Sequence, residues 1–375
     1  MIGPGAALGL LGGGQLGRMF VQAAERMGFE VVVLDPDPLS PAGRIACRHL
    51  AAGYQDQAAL EELGRSVRAV TTEFENVPAA SLAFLRGFCP VRPGPEAVEL
   101  TQDRVVEKRF ARDTGLVTTP FAPVGSEQEA AAAFAEIGAP AILKTARLGY
   151  DGKGQAAVND LRSLLEAYRS FDQVPSILER RVELEREISV VLTRGADGRL
   201  VTFPVAENQH VNGILDTSIV PARIDEALAA RARDAAARLA QGMQYVGTMA
   251  VEFFVVEGGQ LLVNEIAPRP HNSGHYTLDA CATDQFEQQL RALADLPLGD
   301  TRLLSPVAMV NLLGELWQNG EPRWDRALAD PRIHLHLYGK TEPRPGRKMG
   351  HINALAETPE LALEAAFAAR AALCH

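Results

Sequence analysis

The sequence has few cysteines and no surplus of positive charge, and each shortage excludes a class of protein. Its four cysteines, Cys47, Cys89, Cys281 and Cys374, show no C-x-x-C spacing. We therefore expect reduced thiols in the cytoplasm, with neither a zinc site nor a disulfide framework. The formal net charge of -10 argues against a nucleic-acid or anionic-membrane partner, which would require a basic face. It still allows a local basic pocket for a phosphorylated substrate.

The chain also lacks long apolar runs and a basic N-terminal segment. No apolar run approaches the ~20 residues that a membrane-spanning helix requires. No Lys or Arg precedes the first apolar residues, so we expect no signal peptide. With 375 residues, of which 47% are hydrophobic, the chain is too long for one ordinary core, and two or three globular domains are expected.

Glycine, by contrast, is concentrated near the N-terminus. The stretch LGLLGGGQLGRM places Gly12, Gly14 and Gly17 in G-x-G-x-x-G spacing, and Asp35 follows where a ribose-binding acid would lie. This motif alone is weak evidence, so an NAD-dependent oxidoreductase is one interpretation at this point. Strand and helix patterns alternate up to residue 100, including a third strand over residues 67–74, and predict a doubly wound domain.

Beyond a break near residue 95 the pattern changes to mixed or antiparallel strands, which indicates a separate domain. In MAVEFFVVEGGQLLVNEIA, the glycines at 258–259 predict a two-residue hairpin turn. Such a turn pairs Glu257 with Gln260 and places Glu252 directly opposite Glu265. Two facing carboxylates repel unless a cation lies between them or one is protonated, and Mg²⁺ suits such a pair. An exposed sheet face is the alternative, which the apolar neighbours disfavour.

A second glycine-rich stretch, ARLGYDGKGQ, follows the predicted strand that carries Lys144. Its glycines allow backbone N–H groups to approach phosphate oxygens, and Lys153 adds positive charge. A solvent-exposed hairpin loop fits this stretch equally well when it is taken alone. It is not a P-loop, because no Gly-Lys-Ser/Thr opens a helix. Together with Lys144 and the two facing acids, however, it indicates binding of ATP phosphates.

Eight segments, taken in chain order, resemble one known family. They are GGGQLGRM, TTEFENVP, LKTARLGYDGKGQ, ILERRV, VAENQHVNGIL, VEFFV, LLVNEIAPRPHNSGH and YGKTEPRPGRKMGH. The set is similar to the N5-carboxyaminoimidazole ribonucleotide synthetases, ATP-grasp enzymes of purine biosynthesis, over about residues 8–355. The resemblance implies an α/β and α+β protein of three domains. These are a doubly wound domain (1–100), an ATP-grasp domain (101–300) with a lid over about 118–183, and a small C-terminal domain (301–375).

The resemblance also implies the reaction. A ligase of this family uses ATP and bicarbonate to carboxylate 5-aminoimidazole ribonucleotide through carboxyphosphate, with two Mg²⁺ ions, as a cytoplasmic homodimer. A formate-dependent phosphoribosylglycinamide formyltransferase of the same superfamily is the first alternative, disfavoured by Tyr150-Asp151 and Asn272-Ser273. The NAD-dependent oxidoreductase leaves the facing carboxylates unexplained. A nonenzymatic nucleotide sensor is a third alternative.

Carried onto matching positions, the resemblance assigns most of the site. The expected ATP contacts are Arg104, Lys144, Gly149, Tyr150, Asp151, Gly152, Lys153, Gly154, Gln155, Glu179, Arg180, Arg181, Val182, Glu187, His210, Asn264 and Glu265. The expected contacts to the ribonucleotide or bicarbonate are Gln15, Leu16, Glu73, Tyr150, Asp151, Lys153, Arg269, His271, Asn272, Ser273, Lys340, Arg347 and Lys348.

Within this set, Glu252 and Glu265 are the expected Mg²⁺ ligands, and Lys144, Arg269, His271 and Asp151 are the candidate catalytic residues. The choice between His271 and Asp151 for the amine proton stays open. The first glycine motif then shapes a turn at a phosphoribosyl site. His334, His336 and His351 are interpreted as structural, because the sequence shows no acidic partner for a metal site.

Overall fold

The computed structural model describes residues 1–149 and 154–374. Its N-terminal part folds around a four-stranded parallel sheet in the order β3-β2-β1-β4. Separate apolar clusters cover the two faces of this sheet, so the predicted doubly wound architecture is confirmed. The elements are β1 (Ala7–Leu11), α1 (Gln15–Arg26), β2 (Glu30–Leu34), β3 (Arg48–Leu50), α2 (Gln57–Ser66), β4 (Val70–Thr72), α3 (Ala79–Leu85) and α4 (Pro95–Thr101).

The strand predicted over residues 67–74 is β4 in the structure, and it is shorter than the sequence pattern predicts. It covers only Val70–Thr72, because Val67 is the C-terminal cap of α2 and Glu73 leaves the sheet. This shortening matters for the site, since it places the carboxylate of Glu73 at the carboxyl edge of the sheet. That edge is where doubly wound domains bind ligands.

A second, antiparallel sheet follows the helix α5 (Arg104–Asp113), in the order β5-β8-β6-β7. Two helices cover one face of it through a small apolar cluster that includes Leu143, Leu164 and Tyr168. This unit lies in the range where the lid is expected, while the exact domain borders stay a prediction. Its elements are β5 (Phe121–Val124), α6 (Glu127–Ile137), β6 (Ala141–Thr145), β7 (Gln155–Val158), α7 (Leu161–Ser170) and β8 (Ser176–Arg180).

The rest of the chain builds one nine-stranded antiparallel sheet. Its order is β14-β13-β9-β11-β12-β15-β17-β16, with β10 beside β9, so the C-terminal strands continue the central sheet. No described helix is long and apolar enough to span a membrane. The elements are β9 (Arg186–Arg194), β10 (Leu200–Thr202), β11 (Ala206–Val211), β12 (Ile214–Val220), α8 (Glu226–Gly242), β13 (Gly247–Val256), β14 (Gln260–Ala267), α9 (Thr277–Ala280), α10 (Gln285–Leu293), β15 (Val307–Leu313), α11 (Trp324–Ala327), β16 (Ile333–Leu337), β17 (Lys348–Leu355) and α12 (Pro359–Ala372).

The turn of the β13–β14 hairpin differs from the prediction. Residues 257–259 form a three-residue loop, and Val256 pairs with Gln260. The predicted pairing of Glu257 with Gln260 is therefore wrong. Both glycines of the loop have positive φ angles, 74° and 67°, which glycine adopts without steric cost and which longer hairpin loops use.

A β-bulge restores the predicted pairing further along the same hairpin. Phe253 pairs with Val263, whereas Glu252 pairs with Glu265, so Asn264 is the extra residue on β14. The one-residue shift at the turn and the one-residue bulge cancel each other. The prediction that Glu252 and Glu265 face each other is therefore confirmed, although its reasoning missed both irregularities.

Candidate active site

Two carboxylates of the chain itself accept the backbone N–H groups of the first glycine motif. Asp35 accepts the N–H of Gly13 at 2.7 Å and the O–H of Tyr54 at 2.6 Å, both on Oδ2. Glu73 Oε1 accepts the N–H of Gly14 at 2.6 Å. A dinucleotide pyrophosphate would need these same N–H groups, and a carboxylate already bonded to them repels it. The geometry therefore opposes NAD binding at this loop.

The basic C-terminal loop reaches the glycine motif from the other end of the chain. The ammonium of Lys340 donates to the side-chain oxygen of Gln15 and, at 2.7 Å, to the carbonyl of Lys348. The guanidinium of Arg347 donates to the Glu342 carbonyl at 2.9 Å. Leu16 packs its side chain into the core, so only its backbone can face a ligand. Gln15, Lys340 and Lys348, expected to share a substrate site, thus lie together.

Arg269 connects this region to the central sheet. Its guanidinium forms an ion pair with the carboxylate of Glu75, which lies two residues beyond Glu73, and donates to the Pro270 carbonyl at 3.1 Å. Burial raises the pKa of Glu73 to about 7, against the lowering effect of the Gly14 N–H and Arg269. Arg269 therefore lies between the two acids of the TEFEN segment and the end of β14.

Near Lys144, where ATP phosphates are expected, a buried carboxylate lies between two lysines. Glu179 Oε2 is 3.3 Å from Lys108 Nζ and 3.2 Å from Lys144 Nζ, and it accepts the hydroxyl of Thr119 at 3.0 Å. Burial alone would raise the pKa of Glu179, but the two lysines lower it to about 2. Lys144 is thereby held at the cleft by an ionised partner.

Lys108 is a site residue that sequence reasoning missed. It is 2% exposed, and besides Glu179 it donates to the carbonyl of Asn264 at 3.1 Å. It therefore ties α5 to the lid strand β8 and to the bulge of β14. The only signal in the sequence was its position four residues after Arg104 on one helix face, which a solvent-exposed lysine would share.

Arg104 joins the carboxylate pair to the second glycine loop. Its guanidinium donates to Glu265 Oε2 at 3.0 Å and to the Gly149 carbonyl at 3.3 Å. On the far side of this loop the Gly154 carbonyl accepts the N–H of Thr145 at 2.8 Å, and Gln155 begins β7 opposite Lys144. The expected contacts by Tyr150, Asp151, Gly152 and Lys153 fall outside the described residues.

Four of the expected ATP contacts form one continuous segment. It runs from Glu179 through Arg180, Arg181 and Val182, and it links the lid strand β8 to the central strand β9. Both arginines are exposed, and their backbone N–H groups bond to the carbonyls of Pro120 and Pro140. The segment thus runs beside Lys144, whose partner Glu179 is its first residue.

The two facing carboxylates have different electrostatic environments. Burial raises the pKa of Glu252 to about 7, and the charge of Glu265 acts in the same direction. For Glu265 burial acts upward as well, but Arg104 prevails and lowers the pKa. The side chain of Glu265 is 44% exposed, so it remains accessible from the cleft.

His210, which interacts electrostatically with Glu252, is paired with a third acid, since its Nδ1 lies 2.6 Å from Glu187 Oε2.

Asn272 and Ser273 are placed differently from the expectation that they contact substrate. Both are buried, and Asn272 exchanges two hydrogen bonds with Asn311, at 3.1 and 2.8 Å. The Ser273 hydroxyl lies 2.9 Å from Nδ1 of His271. Their side chains therefore support the chain beneath His271 and do not face the cleft.

The expectation that the C-terminal histidines have no acidic partner is wrong. His336 Nε2 lies 2.8 Å from Asp279 Oδ2, and His334 Nδ1 lies 3.6 Å from Oδ1 of the same carboxylate. Asp279 is on α9, 57 residues before His336, so local spacing could not reveal it. His351 stacks on His336 with ring centres 4.6 Å apart. Among residues 1–149 and 154–374, no group of three or more His, Cys, Asp or Glu is arranged to hold a metal.

Comparisons with known proteins agree with this geometry. Residues 6–102 match the ribonucleotide synthetase preATP-grasp domain, 109–286 the ATP-grasp domain, and 307–365 the phosphoribosylaminoimidazole carboxylase C-terminal domain. The chain is therefore an ATP-grasp ligase, an enzyme class that couples ATP cleavage to bond formation.

Full-length relatives identify the family. The chain is 45% identical over 351 residues to the N5-carboxyaminoimidazole ribonucleotide synthase of Brucella melitensis, covering 93% of this chain and 96% of the relative. It is 44% identical over 356 residues to that of Bacillus subtilis, covering 94% and 92%. The chain belongs to the N5-carboxyaminoimidazole ribonucleotide synthase family.

Two solved structures of this family are closely similar. The Staphylococcus aureus enzyme in complex with ADP matches with a TM-score of 0.93 at 38% identity, covering 98% of each chain. The Aspergillus clavatus enzyme, in complex with ADP and 5-aminoimidazole ribonucleotide, matches with a TM-score of 0.90 at 29% identity, again covering 98% of each chain. These findings also set aside the formyltransferase, oxidoreductase and sensor alternatives.

The buried Glu73 leads to a prediction about stability. Its pKa rises from about 4.5 in the unfolded chain to about 7 in the folded protein, so its protonated form favours folding, and this contribution is lost as the pH rises through 7. Glu73→Gln avoids the burial of charge while its amide oxygen can still accept the Gly14 N–H. We expect the variant to gain on the order of 2–3 kcal/mol over the wild type at pH 8 and much less at pH 5.

Thermal or urea unfolding at both pH values measures this difference. Glu25→Gln, at an exposed position of α1, is the control and should follow the wild type throughout. A Glu73→Gln advantage that is equal at pH 5 and pH 8 would show that Glu73 is already ionised at pH 5.

Proposed function

We propose that this chain converts ATP, bicarbonate and 5-aminoimidazole ribonucleotide into ADP, phosphate and N5-carboxyaminoimidazole ribonucleotide through carboxyphosphate. The observation that carries the proposal is the position of Arg269, which interacts electrostatically with Glu265 on one side and with Glu73 on the other. Glu265 pairs with Arg104 in the cluster that also contains Lys144, whereas Glu73 accepts the Gly14 N–H beside Gln15, which Lys340 contacts. This arrangement suits one reaction between a nucleotide and a second phosphorylated substrate.

ATP would bind between the lid and the central sheet. Lys144 and Arg104 offset phosphate charge, and Gly149, Gly154 and Gln155, at the two ends of the second glycine-rich stretch, contact the phosphates. The segment from Glu179 to Val182 meets adenine mainly through its backbone, and Glu187, beside His210, meets the ribose hydroxyls. The pairing of Glu179 with both lysines supports this placement, because it fixes the Lys144 ammonium in the cleft before ATP arrives.

Mg²⁺ would be held by Glu252 and Glu265 and would offset the charge of the ATP phosphates. The donor set fits, since two carboxylates on paired strands are hard oxygen ligands, and Mg²⁺ commonly completes its shell with phosphate oxygens and water. Asn264, the bulged residue of β14, would meet the nucleotide beside these two carboxylates. The family resemblance implies two such ions.

In the first step, a bicarbonate oxygen attacks the γ-phosphorus, the bond to ADP breaks, and carboxyphosphate forms. In the second step, the exocyclic amine attacks the carboxyl carbon of carboxyphosphate and phosphate departs, or carboxyphosphate first breaks down to CO₂ and phosphate and the amine attacks the carbon of CO₂. On either route the amine loses a proton. Arg269 would hold the bicarbonate, because within residues 1–149 and 154–374 Glu75 and Pro270 bind Nε and one terminal nitrogen of its guanidinium and so orient the other. Positioning and charge neutralisation account for most of the catalysis.

The ribonucleotide would bind across the first domain and the C-terminal loop. Lys340, Arg347 and Lys348 would hold its phosphate with Gln15, and Glu73 would accept its ribose hydroxyls. Glu73 suits hydroxyl donors and disfavours a phosphate at Gly14, which supports placing the phosphate nearer Lys340. In solution we expect a homodimer in the cytoplasm, as the family resemblance implies.

The proposed reaction predicts a defined substrate requirement. ADP release should need 5-aminoimidazole ribonucleotide and should accompany formation of a carboxylated product whose yield follows bicarbonate, because the amine traps carboxyphosphate. Coupled ADP detection and mass spectrometry with labelled bicarbonate measure both. Release stimulated only by formate with glycinamide ribonucleotide would transfer the assignment to the formyltransferase.

The second cluster predicts a selective loss of affinity. Lys340→Ala and Arg347→Ala should weaken ribonucleotide binding roughly ten- to a hundredfold, since each removes a charge-assisted bond to phosphate worth ~1.5–3 kcal/mol. Gln15→Ala should weaken it less, and all three variants should bind ATP as the wild type does. Calorimetric titration with each ligand gives the two affinities directly.

Arg344→Ala is the matched control, because this exposed arginine lies in the same loop and pairs only with Glu342 among the ion pairs of the described residues. It should bind both ligands normally. Ribonucleotide binding that is unchanged in all three test variants would refute the assigned phosphate site.

A further inference from the structure

His271 lies over a row of side chains on three adjacent strands. Ser189 on β9 pairs with Glu252 on β13, and Glu252 pairs with Glu265 on β14. Nε2 of His271 lies 3.6 Å from Glu252 Oε1. One ring nitrogen of this histidine therefore faces the carboxylates of the cleft, and the other faces the interior of the protein.

The hydrogen-bond partners of Nδ1, the ring nitrogen that faces the interior, fix its protonation state. Nδ1 accepts the backbone N–H of Ser273 at 3.3 Å and lies 2.9 Å from the Ser273 hydroxyl oxygen. A backbone N–H can only donate, so Nδ1 must present a lone pair. The ring is then neutral, and its proton is on Nε2.

A second serine sets the direction of the Ser273 hydroxyl. The hydroxyl of Ser189 donates to Ser273 Oγ at 2.8 Å, which leaves the proton of Ser273 free to point at Nδ1 of His271. Ser189 and Ser273 are 1% and 0% exposed, so bulk water does not compete for these bonds. A buried chain of hydroxyls thus ends at the histidine.

The backbone of His271 is fixed as firmly as its ring. The side-chain amide of Gln285, which is fully buried, accepts the N–H of His271 and donates to its carbonyl, both at 2.9 Å. Ring rotation and backbone movement are both restrained, so the orientation of Nε2 toward the cleft is built into the fold.

We propose that Ser189 and Ser273 are positioning residues that hold His271 as the Nε2–H tautomer, so that it presents a hydrogen-bond donor to the reacting cleft. The chemical identity of the reaction rests on the proposed function, whereas the tautomer does not. In this form Nε2 cannot take up the proton that the amine loses when its nitrogen bonds to the carboxyl carbon. That proton passes to another acceptor, and the phosphate released from carboxyphosphate has the basic oxygen required.

The tautomer can be read directly from the substrate-free protein. Nitrogen NMR of the protein labelled at histidine, with His271 assigned from the spectrum of His271→Asn, distinguishes a protonated ring nitrogen from an unprotonated one. We expect Nδ1 unprotonated and Nε2 protonated at the pH of the assay. A proton on Nδ1 would overturn the proposal, whatever the reaction proves to be.

Kinetics test whether the two serines act through the histidine. Ser273→Ala should shift the Nδ1 signal and lower kcat roughly three- to tenfold, the value of one hydrogen bond, with the KM for ATP unchanged. Ser189→Ala should do the same to a smaller extent. Because Ser189 acts only through Ser273, the double variant should be no slower than Ser273→Ala.

Ser218→Ala is the matched control, since Ser218 is also a fully buried strand serine, with its hydroxyl bonded to Asn208 at 2.8 Å. It should keep the wild-type kcat and the wild-type His271 signals. Losses that multiply in the double variant, or a Ser273→Ala protein with both kcat and the Nδ1 signal unchanged, would contradict the chain of hydroxyls.

Discussion

The facing pair of Glu252 and Glu265 is the constraint around which the site is organised. Like charges directly opposite each other on paired strands are unfavourable, and burial makes them more so. The protein tolerates the pair because Arg104 lies on one oxygen of Glu265 and His210 and His271 lie near Glu252. An arrangement that costs stability in the free protein is the one that a divalent cation with its phosphates would relieve.

The same compensation of charge recurs away from the pair. Lys108 and Lys144 neutralise Glu179, and Glu107 accepts the backbone N–H of Ile266 directly behind Glu265. Burial and the charge of Glu265 raise the pKa of Glu107 to about 8. These contacts join α5, the lid strand β8 and the hairpin, so the lysine expected at the ATP phosphates and the acids expected at the metal are positioned by one network.

A good part of this site could be predicted from the sequence, and the reasons for the failures are physical. The β13–β14 hairpin was paired correctly at Glu252, although the local pattern could not reveal a three-residue turn that is offset by a bulge at Asn264. The glycine motif suggested a dinucleotide, because sequence spacing does not show that Asp35 is already bonded to Gly13.

Burial and contacts between residues far apart in the sequence account for the remaining differences between the predicted and the observed site. Lys108 resembled a surface lysine, Ser273 resembled a substrate contact, and the partner of His336 lies 57 residues away on α9. None of these contacts follows a repeating pattern in the sequence from which it could be predicted. The residues expected at the phosphoribosyl and nucleotide sites were predicted from a family resemblance over nearly the whole chain, and the structure shows which of them lie together.

Thermal unfolding with ATP and increasing Mg²⁺ tests the central role of the carboxylate pair most directly. A ligand that binds only the folded state raises the unfolding midpoint. We expect Mg²⁺ to raise the midpoint of the wild type beyond the effect of ATP alone, and Glu252→Gln and Glu265→Gln each to remove most of that increment. Glu257→Gln, on the exposed turn of the same hairpin, should retain it. A full Mg²⁺ increment in both test variants would contradict the account.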